Sequence, residues 1–150
     1  MNKKKANLKN DILKLLKKEK LAVLATKGVP YPYTTLVGFS FTKDLNLVLF
    51  ATMRGTRKYS NIVSNPHVSL LIDTRKNYID DFEDAVALTI LGKAAEIKRS
   101  DKNRHMKMYL KRFPHLKNFM DDPETALVGI RVNKYIFVRR FQEVKELSIR

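Results

Sequence analysis

Leu8, Ile12, Leu15 and Leu16 recur at the spacing of one helix face, and lysines fill the other face. That pattern predicts an amphipathic helix of roughly three turns lying on a core. From Leu21 the period changes. LAVLAT (Leu21–Thr26) reads as a buried strand, and KGVPYP as a turn punctuated by Gly28 and two prolines. YTTLVGFSF (Tyr33–Phe41) and LNLVLFAT (Leu45–Thr52) lie either side of the tight turn TKDLN and predict an antiparallel hairpin.

A short helix follows from about Arg57 to Ser64. Asn65-Pro66 stops it, because proline cannot continue a helix and restricts the residue before it. HVSLLID (His67–Asp73) is a fourth strand. RKNYIDDFEDA is the one clearly acidic stretch and reads as a loop. VALTILGKAAEI (Val86–Ile97) is a long strand with Gly92 as a candidate bulge. Ser100 is a candidate cap for the helix SDKNRHMKMYLKRF, where Met106, Leu110 and Phe113 form a stripe and Pro114 is the stop. HLKNFM adds a helical turn. TALVGIRVNKYIFVRRF (Thr125–Phe141) supplies one or two last strands, with Asn133-Lys134 as the candidate turn between them.

About six strands joined mainly by short turns predict a mainly β protein: a six-stranded antiparallel split barrel of Greek-key type with flanking helices, not a doubly wound parallel sheet. The expectation is one domain over residues 1–150, with residues 1–7 as a flexible basic tail.

Composition adds less than charge does. The chain is 44% hydrophobic and 30% charged, as in a soluble globular domain, and no apolar run reaches the ~20 residues of a membrane span. The start MNKKKANLKNDILKLLKKEK lacks the apolar core and cleavage site of a signal peptide. Zero cysteines exclude disulfides and thiolate metal sites and fit a reducing compartment, so a cytoplasmic protein without metal or membrane partner is expected. The net charge of +15 predicts attraction to anions without choosing among them. Eight lysines in the first twenty residues carry much of it.

The chemistry concentrates after the third strand. Arg57 and Lys58 open a helix, where the partial positive charge of the N-terminus disfavours cations. Thr56 is a natural N-cap, Thr52 closes the strand before it, and Gly55 lets backbone come close to a ligand. Hydroxyls, free helix N–H groups and two cations suit a phosphate; the bland alternative is two side chains splayed into water.

FATMRGTRK (Phe50–Lys58), running into Asn61-Ile62 and Asn65-Pro66 and then VSLLI (Val68–Ile72), resembles the flavin-phosphate segment of the pyridoxamine 5′-phosphate oxidase-like superfamily, the FMN-binding split barrels. More loosely, the resemblance runs from Leu21 to Phe141. It implies that Thr52, Thr56, Arg57 and Lys58 are phosphate ligands with Ala51 beside them. The flavin ring would lie along Thr34, Thr35, Leu36 and Val37, with backbone amides on its pyrimidine edge, and Arg140 would offer positive charge there. It also implies a homodimer with FMN at the subunit interface, and an oxidoreductase acting on a small molecule. The Arg and Lys that vitamin B6 oxidases carry on the preceding strand are matched by Thr35 and Ser40, and a ring-contacting Gln by Ala87. The phosphate site therefore carries over and the vitamin B6 substrate site does not. No general acid or base is identifiable, so catalytic residues are unassigned.

NPHVSLLID, ALTILGKA and YLKRFPHLKNF resemble a haem-utilisation branch of the same superfamily, with His105 and His115 as candidate ligands, so haem is the alternative cofactor. A third reading is a basic nucleic-acid-binding barrel using Tyr31, Tyr33 and Tyr59. The scattered basic residues and the lack of a recognition motif argue against specific nucleic-acid binding.

Overall fold

The computed structural model describes residues 2–150. Helix α1 (Lys3–Lys18) starts where the Asn2 side chain accepts the Lys5 N–H at 2.7 Å. It buries Leu8, Ile12, Leu15 and Leu16. From Lys3 onward the expected basic tail is therefore the first turns of α1, held by that cap; Met1 lies outside the described residues.

Strands β1 (Leu21–Thr26), β2 (Tyr33–Phe41) and β3 (Leu47–Met53) form a meander, and α2 (Arg57–Ser64) leads to β4 (His67–Asp73). After α3 (Asp81–Asp84) and β5 (Val86–Glu96) come α4 (Arg99–Arg112), a 3₁₀ turn at Pro114–Leu116 and α5 (Lys117–Asp121). Strands β6 (Thr125–Arg139) and β7 (Glu143–Ser148) complete the chain. β4 returns beside β1, giving the spatial order 4-1-2-3 of a Greek key, and β3–β6 pairing closes a six-stranded antiparallel barrel.

Strand β6 is shared. Leu47–Met53 of β3 pair with its first half and β7 with its second, while β5 runs along its other edge. Where the neighbours change, the β5–β6 register slips between Leu91 and Gly92, so Asn133 is bulged and the strand continues instead of turning. The Ile149 and Arg150 amides both donate to the Asn133 carbonyl. The turn comes later, at Arg140 and Phe141, both with positive φ. EVKELS escaped sequence reading because Leu147 is its one buried residue. Two smaller differences are local. The acidic loop contains α3, ordered because the Asp81 carboxylate accepts the Lys76 and Asn77 amides. Helix α4 begins after Lys98, not Ser100, since the Lys98 carbonyl already accepts the Asp101 N–H.

Most inward side chains form one core with the apolar face of α1. A second cluster sits outside the barrel, where α4 and α5 cover Leu49 and Leu127 with Tyr109, Phe113 and Met120. Elsewhere the outer sheet surface carries a mostly apolar, partly exposed row. Leu36, Val23, Leu71, Thr89 and Ile136 follow one another in register across β2, β1, β4, β5 and β6. Leu36 is 67% exposed and Leu21, in the adjacent row, 59%.

Candidate functional site

The barrel is split between β2 and β3. Their pairing is confined to Phe39–Phe50, Ser40–Leu49 and Phe41–Val48. Beyond it, Tyr33–Val37 keep β1 on one edge only, and Ala51–Met53 keep β6 on one edge only. Alternate backbone groups of Thr34, Thr35, Leu36 and Val37 thus face a gap without a strand partner. The inner end of the gap is plugged from α4. The Tyr109 hydroxyl donates to the Gly38 carbonyl at 2.9 Å, and Ala51 packs against the same cluster. Burial pushes the Tyr109 phenol up to about 12, so it stays a donor. A Cβ at Gly38 would meet the Phe113 ring at 3.3 Å, a contact the ring would have to yield to.

At the outer end, β3 turns into α2. Thr52 is buried, and its hydroxyl lies 2.9 Å from that of Thr56. Thr56 donates to the Met53 carbonyl at 2.9 Å and caps α2 by accepting the Tyr59 N–H at 3.4 Å. The Thr52 hydroxyl is also within donating distance of the Met53 carbonyl, at 3.2 Å. The first turn of α2 contains no acidic residue. Arg57 is exposed and lies over the Tyr33 ring, 5.1 Å from its centroid, which links α2 to the start of β2. Lys58 is half-buried, and burial lowers its pKa. Among the described residues no carboxylate pairs with it. The start of α2 thus carries two cations and two hydroxyls, and the carboxylate bound to this turn, Glu96, is committed to Arg54 and Tyr59.

Thr34, Thr35, Leu36 and Val37 thus lie along the unpaired edge of β2, Ala51 and Thr52 along that of β3, and Thr56, Arg57 and Lys58 where the chain turns into α2. Val37 does so by its backbone alone, because its side chain is in the core. Arg140 does not join them. It follows the far end of β6, whereas Thr125, at the near end, pairs with Met53. The strand between them spans about 46 Å at ~3.3 Å per residue. Arg140 faces Glu143 at 3.8 Å instead. His105 and His115 are not paired either: His105 Nδ1 lies 3.1 Å from the Asp101 carbonyl, and His115 packs edge-on against Phe113.

Sequence reading missed the residues behind the slot. Arg54 forms a two-pronged pair with Glu96, Nε to Oε1 at 3.1 Å and one terminal nitrogen to Oε2 at 2.6 Å. The Tyr59 hydroxyl donates to the same Oε1 at 2.7 Å. The Arg54 side chain and amide also donate to the Pro123 and Glu124 carbonyls. The Arg54 hydrogen bond holds the Glu96 carboxyl below the usual range, and acceptance by Glu96 raises the Tyr59 phenol. Asn61 of α2 donates to Thr26 Oγ1 at 3.0 Å, fixing the helix to β1. No local motif signals partners so far apart in sequence. A concavity of about 690 Å³ between α1 and β7 includes none of these residues, and neither do the smaller concavities around α3, β5 and the end of β6.

A family model described as pyridoxamine 5′-phosphate oxidase matches residues 8–139. No curated protein matches. Among solved structures, a haem-binding protein from Mycobacterium smegmatis superposes with a TM-score of 0.78 at 14% identity; the match covers 89% of this chain and 55% of that one, so this chain spans about half its length. A FAD-binding protein from Mesorhizobium loti gives a TM-score of 0.68 at 15% identity, covering 85% of this chain and 90% of that one. General Stress Protein 26 from Bacillus anthracis str. Sterne gives 0.70 at 23% identity, covering 95% and 99%.

Proposed function

Because the chain belongs to the pyridoxamine 5′-phosphate oxidase family, we propose that it binds FMN and serves as a flavin-dependent oxidoreductase for a small molecule. The observation that carries this reading is Lys58: a half-buried ammonium without a carboxylate partner among the described residues, at a helix N-terminus beside Arg57, Thr52 and Thr56. A phosphate monoester would supply the missing charge and accept from Arg57, Lys58 and the first-turn amides, and from the Thr52 and Thr56 hydroxyls once their protons rotate off the Met53 carbonyl. The unpaired edge of Thr34–Val37 offers the alternating donors and acceptors that the pyrimidine edge of a flavin needs. Bound FMN would supply the electron-transfer chemistry; the chain's part is to hold and orient it and to keep water out.

The same reading makes the protein a homodimer. The apolar row from Leu36 to Ile136 adjoins the slot along β2, so a second copy seated on it would roof the ring-binding edge. The titration that tests the proposal uses FMN against the purified protein, with flavin fluorescence and the spectrum of any released cofactor as readouts. Saturable 1:1 quenching supports it. A haemin titration giving the only saturable spectral shift would replace flavin by haem, the cofactor named for the Mycobacterium smegmatis protein.

A further inference from the structure

We propose that Glu96 is a positioning residue for the phosphate socket, so that removing this negative charge weakens the binding of an anion. The inference rests on the FMN reading above. Simple Coulomb reasoning gives the opposite sign, since a carboxylate near an anion site should repel the ligand.

The geometry decides between the two. One carboxylate holds both flanks of the Thr56 cap: Arg54, two residues before it in the turn, and Tyr59, three residues after it in the first turn of α2. Tyr59 is also the residue whose amide donates to Thr56 Oγ1. Arg54 is tied in turn to the Pro123 and Glu124 carbonyls before β6. The Glu96 charge is met at 2.6 Å by the Arg54 guanidinium and further committed to a phenol, so little of it reaches the ligand. Its main effect is to fix the turn from which the Thr56, Arg57 and Lys58 donors project. A loosened turn would have to be ordered on binding, at the expense of affinity.

The test measures FMN and riboflavin affinity for the wild-type full chain, Glu96→Gln and Tyr59→Phe. Riboflavin lacks the phosphate and reports on the rest of the slot. FMN binding should fall about tenfold in Glu96→Gln and about threefold in Tyr59→Phe, with riboflavin affinity unchanged. Tighter FMN binding in Glu96→Gln would show a repelling charge and overturn the proposal. So would unchanged FMN binding, or equal losses for FMN and riboflavin, which mark a general structural effect. If wild type itself prefers FMN no more than riboflavin, the phosphate reading fails and this inference with it. Tyr59→Phe leaves the ion pair intact and keeps the test decisive if Glu96→Gln does not fold.

Discussion

The Arg57 guanidinium lies over the face of Tyr33, 5.1 Å from the ring centroid, although the two residues belong to α2 and β2. The contact parks an exposed cation at the mouth of the slot instead of leaving it to sweep through water. Tyr33→Leu keeps the strand and removes the π face. FMN affinity should drop about two- to fivefold, the scale of ~0.5–1 kcal/mol for an exposed cation–π pair. An isothermal titration with FMN measures it, and a change below the error of that titration would mean the ring does not hold Arg57 for the ligand.

Lys58 predicts a separation of stability from binding. Its ammonium is half-buried without a carboxylate partner among the described residues, so Lys58→Met removes a charge that contributes nothing to the folded chain alone. Urea denaturation should give a stability within about 0.5 kcal/mol of wild type, or higher. FMN binding should weaken more than about tenfold, since a charged hydrogen bond contributes about 1.5–3 kcal/mol. A variant that loses stability and keeps FMN would place Lys58 in the scaffold and not in the site.

The outer row can be tested by charge. Leu36→Lys puts an ammonium at the β2 end of the apolar row while leaving the core side of β2 intact. Light scattering should report a monomer for the variant and a dimer for wild type, and FMN affinity should fall with dimerisation. A dimeric Leu36→Lys protein would move the interface elsewhere.

Asp44 supplies a pH prediction independent of the site. In the β2–β3 turn its carboxylate accepts the Thr42 hydroxyl at 2.6 Å and the Asn46 amide at 3.0 Å. These bonds, the Thr42 hydroxyl first, lower its pKa from 3.8 to about 2. A depressed carboxylate stabilises the fold above its unfolded value, and that contribution is lost as pH falls from about 4 towards 2. Carboxyl NMR should find the low value in wild type, and Thr42→Val should return it towards 3.8.

Much of the architecture was legible because its signals are local. The stripe Leu8–Leu16, the strand pair around Asp44 and the Arg57–Ser64 helix before Pro66 all rest on period or on single stop residues, whereas the bulge expected at Gly92 falls on Asn133 of the strand facing it. Strand β7 was hidden because an edge strand with one buried side chain has no apolar period. Asn133 read as a turn residue because asparagine suits a turn and a bulge alike. In the site, Thr52, Thr56, Arg57 and Lys58 were visible as a contiguous motif. Glu96, forty-two residues from Arg54, was not, because only barrel closure brings β5 beside that turn. Arg140 follows the opposite end of β6 from Thr125, so within one chain it lies away from the turn into α2.

Tyr109 is a doorstop. It belongs to a helix that follows five of the six barrel strands, yet it stands where β2 and β3 would otherwise go on zipping together. The width of the gap is therefore dictated by a late stretch of chain that carries none of Thr52, Thr56, Arg57 and Lys58. A fragment ending after β4 would possess every one of those side chains and lack the wedge that holds the two strands apart.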